Sequence, residues 1–276
     1  MIFETHTLPT SLEDYVESIF YFKGFQPDHS IERVVPTGHL FIIFELDGIE
    51  RNTFDNQTLA VNETFRNVWV SGMHKNYLSI SAHQDSEMFV IQFKPAGAFP
   101  FFHIPIHRLN NTVILAQEIF GDEIVTLRKQ ILKSETVVTK FDIATQWLLD
   151  RFDTTKIPEA ALILILKQLQ ENSLSTHTTI VKTYSKTQKH LISQFKKYCG
   201  LTPKVLHRIF RFNQMLQQIQ AQQKITWSQI AYQFGYTDQS HFIKEFNEFS
   251  GFNPQEFIEA DHHNSEPNFF PLDRQG

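Results

Sequence analysis

Only one cysteine, Cys199, stands in the 276-residue chain; this excludes an internal disulfide framework and fits a reducing compartment. No apolar run approaches the ~18 residues needed to span a bilayer, and no basic start followed by an apolar stretch marks a secretion signal. Leu162 to Leu166 is apolar but far too short. The expected location is the cytoplasm, with no membrane partner. Catalytic signatures are missing as well: there is no Gly-x-Ser-x-Gly elbow, no Gly-x-x-x-x-Gly-Lys phosphate loop and no His-Glu-x-x-His pair. No enzyme and no cofactor are expected, and Cys199, at a helix end, reads as a packing or capping residue rather than a nucleophile.

Positive charge is scarce over the whole chain, with 25 Lys and Arg against 30 Asp and Glu and a net charge of −5. The deficit is not uniform. Residues 1–170 carry 14 basic and 21 acidic side chains, net −7, whereas residues 171–260 carry 10 and 6, net +4; the remainder carries 1 and 3, net −2. A modestly basic C-terminal part beside an acidic N-terminal one suits phosphate contact by the former alone. The length suggests about two domains.

The most informative stretch is Ile225 to Pro254. Ile230 and Ala231 would face the core from a first helix, Gly235 would relieve the turn, and Phe242, Phe246 and Phe249, three and four residues apart, would form the apolar stripe of a second helix. Asp238 stands where it can cap the second helix, and Gly251 followed by Pro254 closes it. That describes a helix-turn-helix. Gln239, Ser240, Ile243 and Lys244 would then project outward, with amide, hydroxyl and amine groups suited to base edges and phosphates. A helical hairpin of a purely structural domain has the same spacing.

A second copy lies about fifty residues upstream. Thr187 to Pro203 aligns with Asp238 to Pro254, matching His190 with His241, Leu191 with Phe242, Phe195 with Phe246, Gly200 with Gly251 and Pro203 with Pro254. Two heads on one chain can reach successive major-groove segments about 34 Å apart. Between them, Pro203 to Ile219 has a long helical pattern, with Leu206, Ile209, Phe210, Met215, Leu216 and Ile219 on its apolar side. Such a helix would fix the separation of the heads.

These residues resemble the AraC/XylS family of bacterial transcription regulators; the second head, through Ile230-Ala231, Gly235-Tyr236, Gln239 to Phe242, Phe246, Gly251 and Pro254, is similar to that family's signature almost throughout. The resemblance implies a DNA-binding domain over residues 171–260, with contacts from Lys189, Ile192 and Ser193 in the first head and from Gln239, Ser240 and Lys244 in the second. Lys244 stands where arginine is common, and a lysine makes a less geometrically selective contact. The first head departs further, with Ile180 in place of a small alanine and Tyr184-Ser185 in place of a glycine turn. The partners implied are double-stranded DNA, a small-molecule effector of unknown identity, RNA polymerase and a second copy in a homodimer, with activation the expected sign.

In the N-terminal half His39 to Leu46, Thr64 to Val70, Asn76 to Ala82 and Glu87 to Phe93 read as strands, separated by turn residues at Asp47-Gly48, Ser71-Gly72 and Pro95 to Gly97. Val113 to Phe120, Ile124 to Leu132, Phe141 to Phe152 and Pro158 to Leu169 read as helical. The expectation is an α+β two-domain protein: a β-rich, cupin-like sandwich or barrel with following helices from about 113 in residues 1–170, an all-α domain with two helix-turn-helix motifs in 171–260, and a polar tail over 261–276. The cupin-like part rests on a resemblance of Val35 to Leu40 and Phe93 to Gly97, and implies a sensing or dimerising role. The run Phe99 to His103 either borders a pocket or is core. His39, His74, His83, His103 and His107 form no compact ligand set, and Pro105 interrupts the spacing of the last two, so no metal is expected. His262 and His263 read as solvated.

Two other readings stay open at this point. One is a small-molecule-binding or enzymatic protein whose helical domain has lost DNA binding, and the other is a regulator controlled by abundance alone.

Overall fold

A computed structural model of the chain describes residues 1–220, 226–259 and 268–273. Its strands are β1 (Ile2–Thr5), β2 (Val16–Phe25), β3 (Ile31–Val34), β4 (Leu40–Glu45), β5 (Arg51–Phe54), β6 (Val61–Phe65), β7 (Val68–Ser71), β8 (Leu78–Ser81), β9 (Ser86–Phe93), β10 (Val113–Leu115) and β11 (Phe269–Pro271). They form two antiparallel sheets, in the orders β1-β2-β9-β4-β7-β10 and β11-β3-β8-β5-β6.

The larger sheet is covered on both faces. Ile43, Trp69, Val90 and Val113 turn one way, with Phe65 of the smaller sheet, into a compact cluster. Ile42, Phe44, Val70, Phe89 and Ile91 turn the other way and join the main core beneath the helices. This double burial explains why β4 is apolar at nearly every position instead of alternating. The inner cluster also encloses charge: Glu45 is fully buried, accepts from Trp69 Nε1 at 2.7 Å, and lies 3.1 Å from Arg51, which also reaches Asp47 at 2.6 Å. Burial pushes the Glu45 carboxyl up to about 7 against the pull of Arg51. Arg51, Phe65, Trp69, Ile80 and Val113 border a void of about 20 Å³. That space holds about one water and no larger molecule.

Two expectations are corrected here. The run Thr64 to Val70 is not one strand but the end of β6 and most of β7, which belong to different sheets; the chain turns at Asn67, with φ of 69°, a conformation asparagine tolerates. Val113 to Phe120 is not a helix: Val113 pairs with Ser71 as the edge strand β10, and only Gln117–Phe120 is helical.

The helices are α1 (Thr10–Glu13), α2 (Phe99–Phe102), α3 (Gln117–Phe120), α4 (Asp122–Lys133), α5 (Val137–Arg151), α6 (Ala160–Glu171), α7 (His177–Val181), α8 (Gln188–Cys199), α9 (Pro203–Gln220), α10 (Trp227–Gln233), α11 (Gln239–Ser250) and α12 (Pro254–Glu259). All four residues of α2 are buried, with Phe101 and Phe102 against Phe93, so Phe99 to Phe102 are core, while His103 is exposed. One continuous buried cluster extends from Leu12 through both halves of the chain to Phe270.

The tail also departs from its expected polar character. Residues 261–267, with His262 and His263, and 274–276 lie outside the described residues, but Phe269–Pro271 forms β11, antiparallel to β3 of the N-terminal sheet. Its apolar content explains this: Phe270 is buried between Phe252 and Phe257. The Asp273 carboxylate accepts from the amides of Ser30 and Ile31 at 3.0 and 2.8 Å. No helix among the described residues is long and apolar enough to cross a membrane.

Candidate nucleic-acid interface

The second head is assembled by local signals. Ile230 and Ala231 of α10 are buried, Gly235 takes φ of 70° at the turn, and the Asp238 side chain accepts from the His241 amide at 2.8 Å to cap α11. Phe242, Phe246 and Phe249 are fully buried on one face of α11. They meet Trp227 of α10 and Phe212 of α9, with ring centroids 5.1 to 5.7 Å apart.

The first head repeats the plan with different turn chemistry. The Thr187 side chain accepts from the His190 amide at 3.2 Å to cap α8, and Leu191 and Phe195 are its buried stripe. Where the resemblance leads one to expect a glycine, Tyr184 is buried, and its hydroxyl meets His190 Nδ1 at 2.9 Å with the two rings stacked. That contact supports the turn from a side chain instead of through backbone freedom.

The candidate contact residues fall on two corresponding open faces. Lys189 and Ser193 are exposed and Ile192 half-buried on α8; Gln239, Ser240 and Lys244 are exposed on α11, with Ile243 beside them. Lys189, Ile192 and Ser193 are spaced as Ser240, Ile243 and Lys244 are, at i, i+3 and i+4, so each set shares one helix face. Lys189 and Lys244 make no ion pair among the described residues. Three exposed residues join these surfaces that the sequence reading did not single out: Lys196 and Asn247 extend the two faces by one turn, and Tyr232 on α10 is 87 % exposed. The signal for Lys196 and Asn247 was available, since the repeat places them at equivalent positions.

The C-terminal ends of α8 and α11 are held by the N-terminal half. Gly200 and Gly251, which end α8 and α11, take φ of 78° and 72°. The Gly200 carbonyl accepts from Asn110 Nδ2 and the Gly251 carbonyl from Arg33 Nη1, each at 2.7 Å. A Cβ at either would come within 2.6 Å of Asn110 or of the Tyr77 ring, so close approach as well as the positive φ requires glycine. Arg33 is also sandwiched between the rings of Tyr77 and Phe252, at 4.8 and 4.6 Å. Asn213 of α9 donates to Pro36 at 2.8 Å, and Tyr198 packs edge-on against Phe99. Cys199 is buried, which pushes its thiol pKa up and leaves it unreactive.

No group of three His, Cys, Asp or Glu among the described residues is placed to hold a metal ion. His74, one of the histidines considered for such a role, is half-buried, and desolvation lowers its pKa to about 4. Outside the sandwich, an open groove of about 560 Å³ lies between α4 and α5, with Leu127, Ile143 and Trp147 as its floor and Glu123 and Asp150 on its rim.

Two helix-turn-helix units joined by one long helix, with corresponding faces open and a two-sheet domain packed behind them, have the architecture of a DNA-binding module with an attached N-terminal domain. Residues 180–260 match a helix-turn-helix domain of the AraC type, and residues 5–115 match a domain of unknown function, DUF6597. The C-terminal part of the chain is therefore an AraC-type DNA-binding domain, the DNA-binding part of a transcription regulator. No curated protein matches the chain. Solved structures of ToxT from Vibrio cholerae align with it at low identity. The apo form of a variant from strain SCE256 is 13 % identical over 87 % of this chain and 97 % of that one, with a TM-score of 0.46. A 1.65 Å structure gives 12 %, 94 %, 98 % and 0.44, and the unsaturated fatty acid-bound wild type from strain SCE256 gives 15 %, 90 %, 96 % and 0.44.

Proposed function

We propose that the protein is a sequence-specific transcription regulator, with residues 171–260 as its reader and residues 1–170 as the part that gates it. In this reading α8 and α11 enter successive major-groove segments. Lys189, Ile192 and Ser193 contact the first and Gln239, Ser240 and Lys244 the second, while Lys196 and Tyr232 reach flanking phosphates. The observation that carries it is the pair of equivalent open faces on two helices of one chain. The two faces match position by position and carry lysine, serine and amide groups suited to phosphates and base edges, which supports two heads of one kind.

Gating follows from the grip on Gly200 and Gly251. A small molecule or a second copy that binds two arrangements of the N-terminal domain unequally shifts how those helix ends are held, and only that difference in affinity drives a switch. The void between the sheets is too small for an effector, so an effector binds elsewhere or opens that space on entry. Activation of a neighbouring promoter, through contact with RNA polymerase, is the sign the family resemblance implies.

Selection of bound fragments from a random duplex pool by the full chain, followed by a salt titration on the winner, tests the reading. An enriched motif of two elements about one turn (~34 Å) apart is expected. Binding that shows no enrichment and merely fades with salt, in the full chain and in residues 171–260 alone, overturns it.

A further inference from the structure

The contact between α9 and α11 determines how far apart the two heads stand, because α9 follows the first head directly and α11 is the reading helix of the second. Much of it is apolar and ring-shaped: Phe212 of α9 lies 5.5 Å from Phe246 and 5.1 Å from Phe249. Contacts of that kind resist separation but discriminate poorly between neighbouring alignments, since ridges and grooves repeat with each helical turn. A directional element is needed to choose one.

Glu245 is that element. It lies on the buried face of α11 with its side chain 2 % exposed. One carboxylate oxygen accepts from Arg208 Nε at 2.8 Å, and the other accepts from Arg211 Nη2 at 2.6 Å and from the Tyr236 hydroxyl at 2.9 Å. Arg208 and Arg211 stand nearly one turn apart on α9, so the carboxylate is held from both directions along that helix. A slide either way breaks one of the two bonds and strands a charge in a buried site. Tyr236 follows the turn glycine, which ties the head's own turn to the same carboxylate. The cations are braced in place: Arg208 lies over Phe249 at 4.9 Å and pairs with Glu248 at 2.6 Å, and Arg211 lies over Tyr236 at 4.4 Å. Burial opposes the charge on Glu245, but the two guanidinium groups outweigh it and hold the carboxyl below its ordinary range.

We propose that Glu245 is the positioning residue that sets the register of the two heads, and with it the spacing between DNA elements that the protein accepts; this rests on the double-headed reading above. A buried ion cluster adds little net stability over an apolar replacement of equal volume, and its best-attested use is the selection of one register. One helical turn of slide is about 5.4 Å, or roughly one and a half base-pair steps of ~3.4 Å. Loss of the cluster therefore translates into tolerance for elements displaced by one or two base pairs. When the N-terminal grip on Gly251 is released, this cluster still holds α11 to α9.

The test uses the full chain on a duplex series in which the distance between the two selected elements varies by single base pairs, with head-to-head distances measured in parallel. Nitroxide labels at Ser193→Cys and Ser240→Cys supply the distances without DNA, since Cys199 is buried and stays unlabelled. Wild type is expected to favour one spacing by about tenfold over its neighbours and to give one narrow distance distribution. Glu245→Gln is expected to flatten the preference and broaden the distribution. The combined Glu245→Leu, Arg208→Met and Arg211→Met variant replaces the cluster with apolar groups, so it should fold with its melting temperature kept and still lose the preference. If the folded apolar variant keeps the wild-type preference and distribution, the proposal is overturned. If wild type selects no two-element duplex, the double-headed reading fails instead, and the distance distributions alone decide whether Glu245 sets the register.

Discussion

Arg33 on β3 donates to the carbonyl oxygen of Gly251, 218 residues later in the chain and at the end of α11. Asn110 holds Gly200 in the same way at the end of the first. These two glycines, which the repeat aligns, are thus both points at which the N-terminal half takes hold.

Replacing Arg33 by alanine removes that bond and the sandwich with Tyr77 and Phe252. A charge-assisted hydrogen bond with two ring contacts suggests a loss of about 2 kcal/mol in docking. Hydrogen exchange should show reduced protection around residues 251–257 while the first head keeps its own. Equal loss at both heads would mean that they are not held separately.

Substitutions on the open faces should change DNA binding and leave stability alone. Lys244→Ala is expected to weaken binding across sequences and lower the salt slope by about 1, and Gln239→Ala to relax the preference at one base pair by about 1–3 kcal/mol. Melting temperatures should stay near wild type, since neither side chain is buried. Unchanged duplex selection in both variants would exclude α11 as a reader.

Asp273 gives the tail a pH dependence of known sign. Burial opposes its charge, but the Ser30 side chain and the amides of Ile31 and Ser30 outweigh that and hold its pKa below the usual 3.8. Its contribution is therefore present above that value and is lost as the pH falls through the lower, folded-state one. At neutral pH Asp273→Asn should reduce amide protection at Ser30 and Ile31 by about tenfold. Full protection in the variant would show that β11 is anchored by its pairing with β3 and by Phe270, without Asp273.

Glu45 has the opposite sign. Its pKa is raised from 4.5 to about 7, so between those values the folded state holds a proton that the unfolded chain has released. The contribution is fully present below 4.5 and falls as the pH rises through 7. Urea unfolding at several pH values should show that decline in wild type and a smaller one in Glu45→Gln. Trp69, which donates to this carboxylate, should report the same titration in its emission.

The helical third was legible because its signals are local. Caps at Thr187 and Asp238, glycines at 200 and 251 and phenylalanines three or four residues apart each constrain their own turn of helix, and all lie within a few residues of what they determine. The N-terminal sheets depend on partners far away. Val113 is a strand residue because Ser71 is its neighbour, and nothing in Val113 to Phe120 itself distinguishes an edge strand from a helix. Thr64 to Val70 is strand-like throughout, and the corner at Asn67 is made without a glycine or proline to announce it. The holding contacts at Arg33 and Asn110 were invisible for the same reason. Of the reading faces, the polar residues were foreseeable from what the apolar stripes left over.

Strand β11 has a consequence for synthesis. The N-terminal sheet receives its last strand from residues that follow the whole reading domain, with Ile31 and its Asp273 anchor 242 residues apart. At a ribosomal pace of roughly 5–20 residues per second, about 10–50 s separate the two. Throughout that interval the β3 edge is unsealed while the two heads emerge. A newly made chain therefore passes through a stage in which every residue of the two heads has been made while β3 still lacks its outer neighbour.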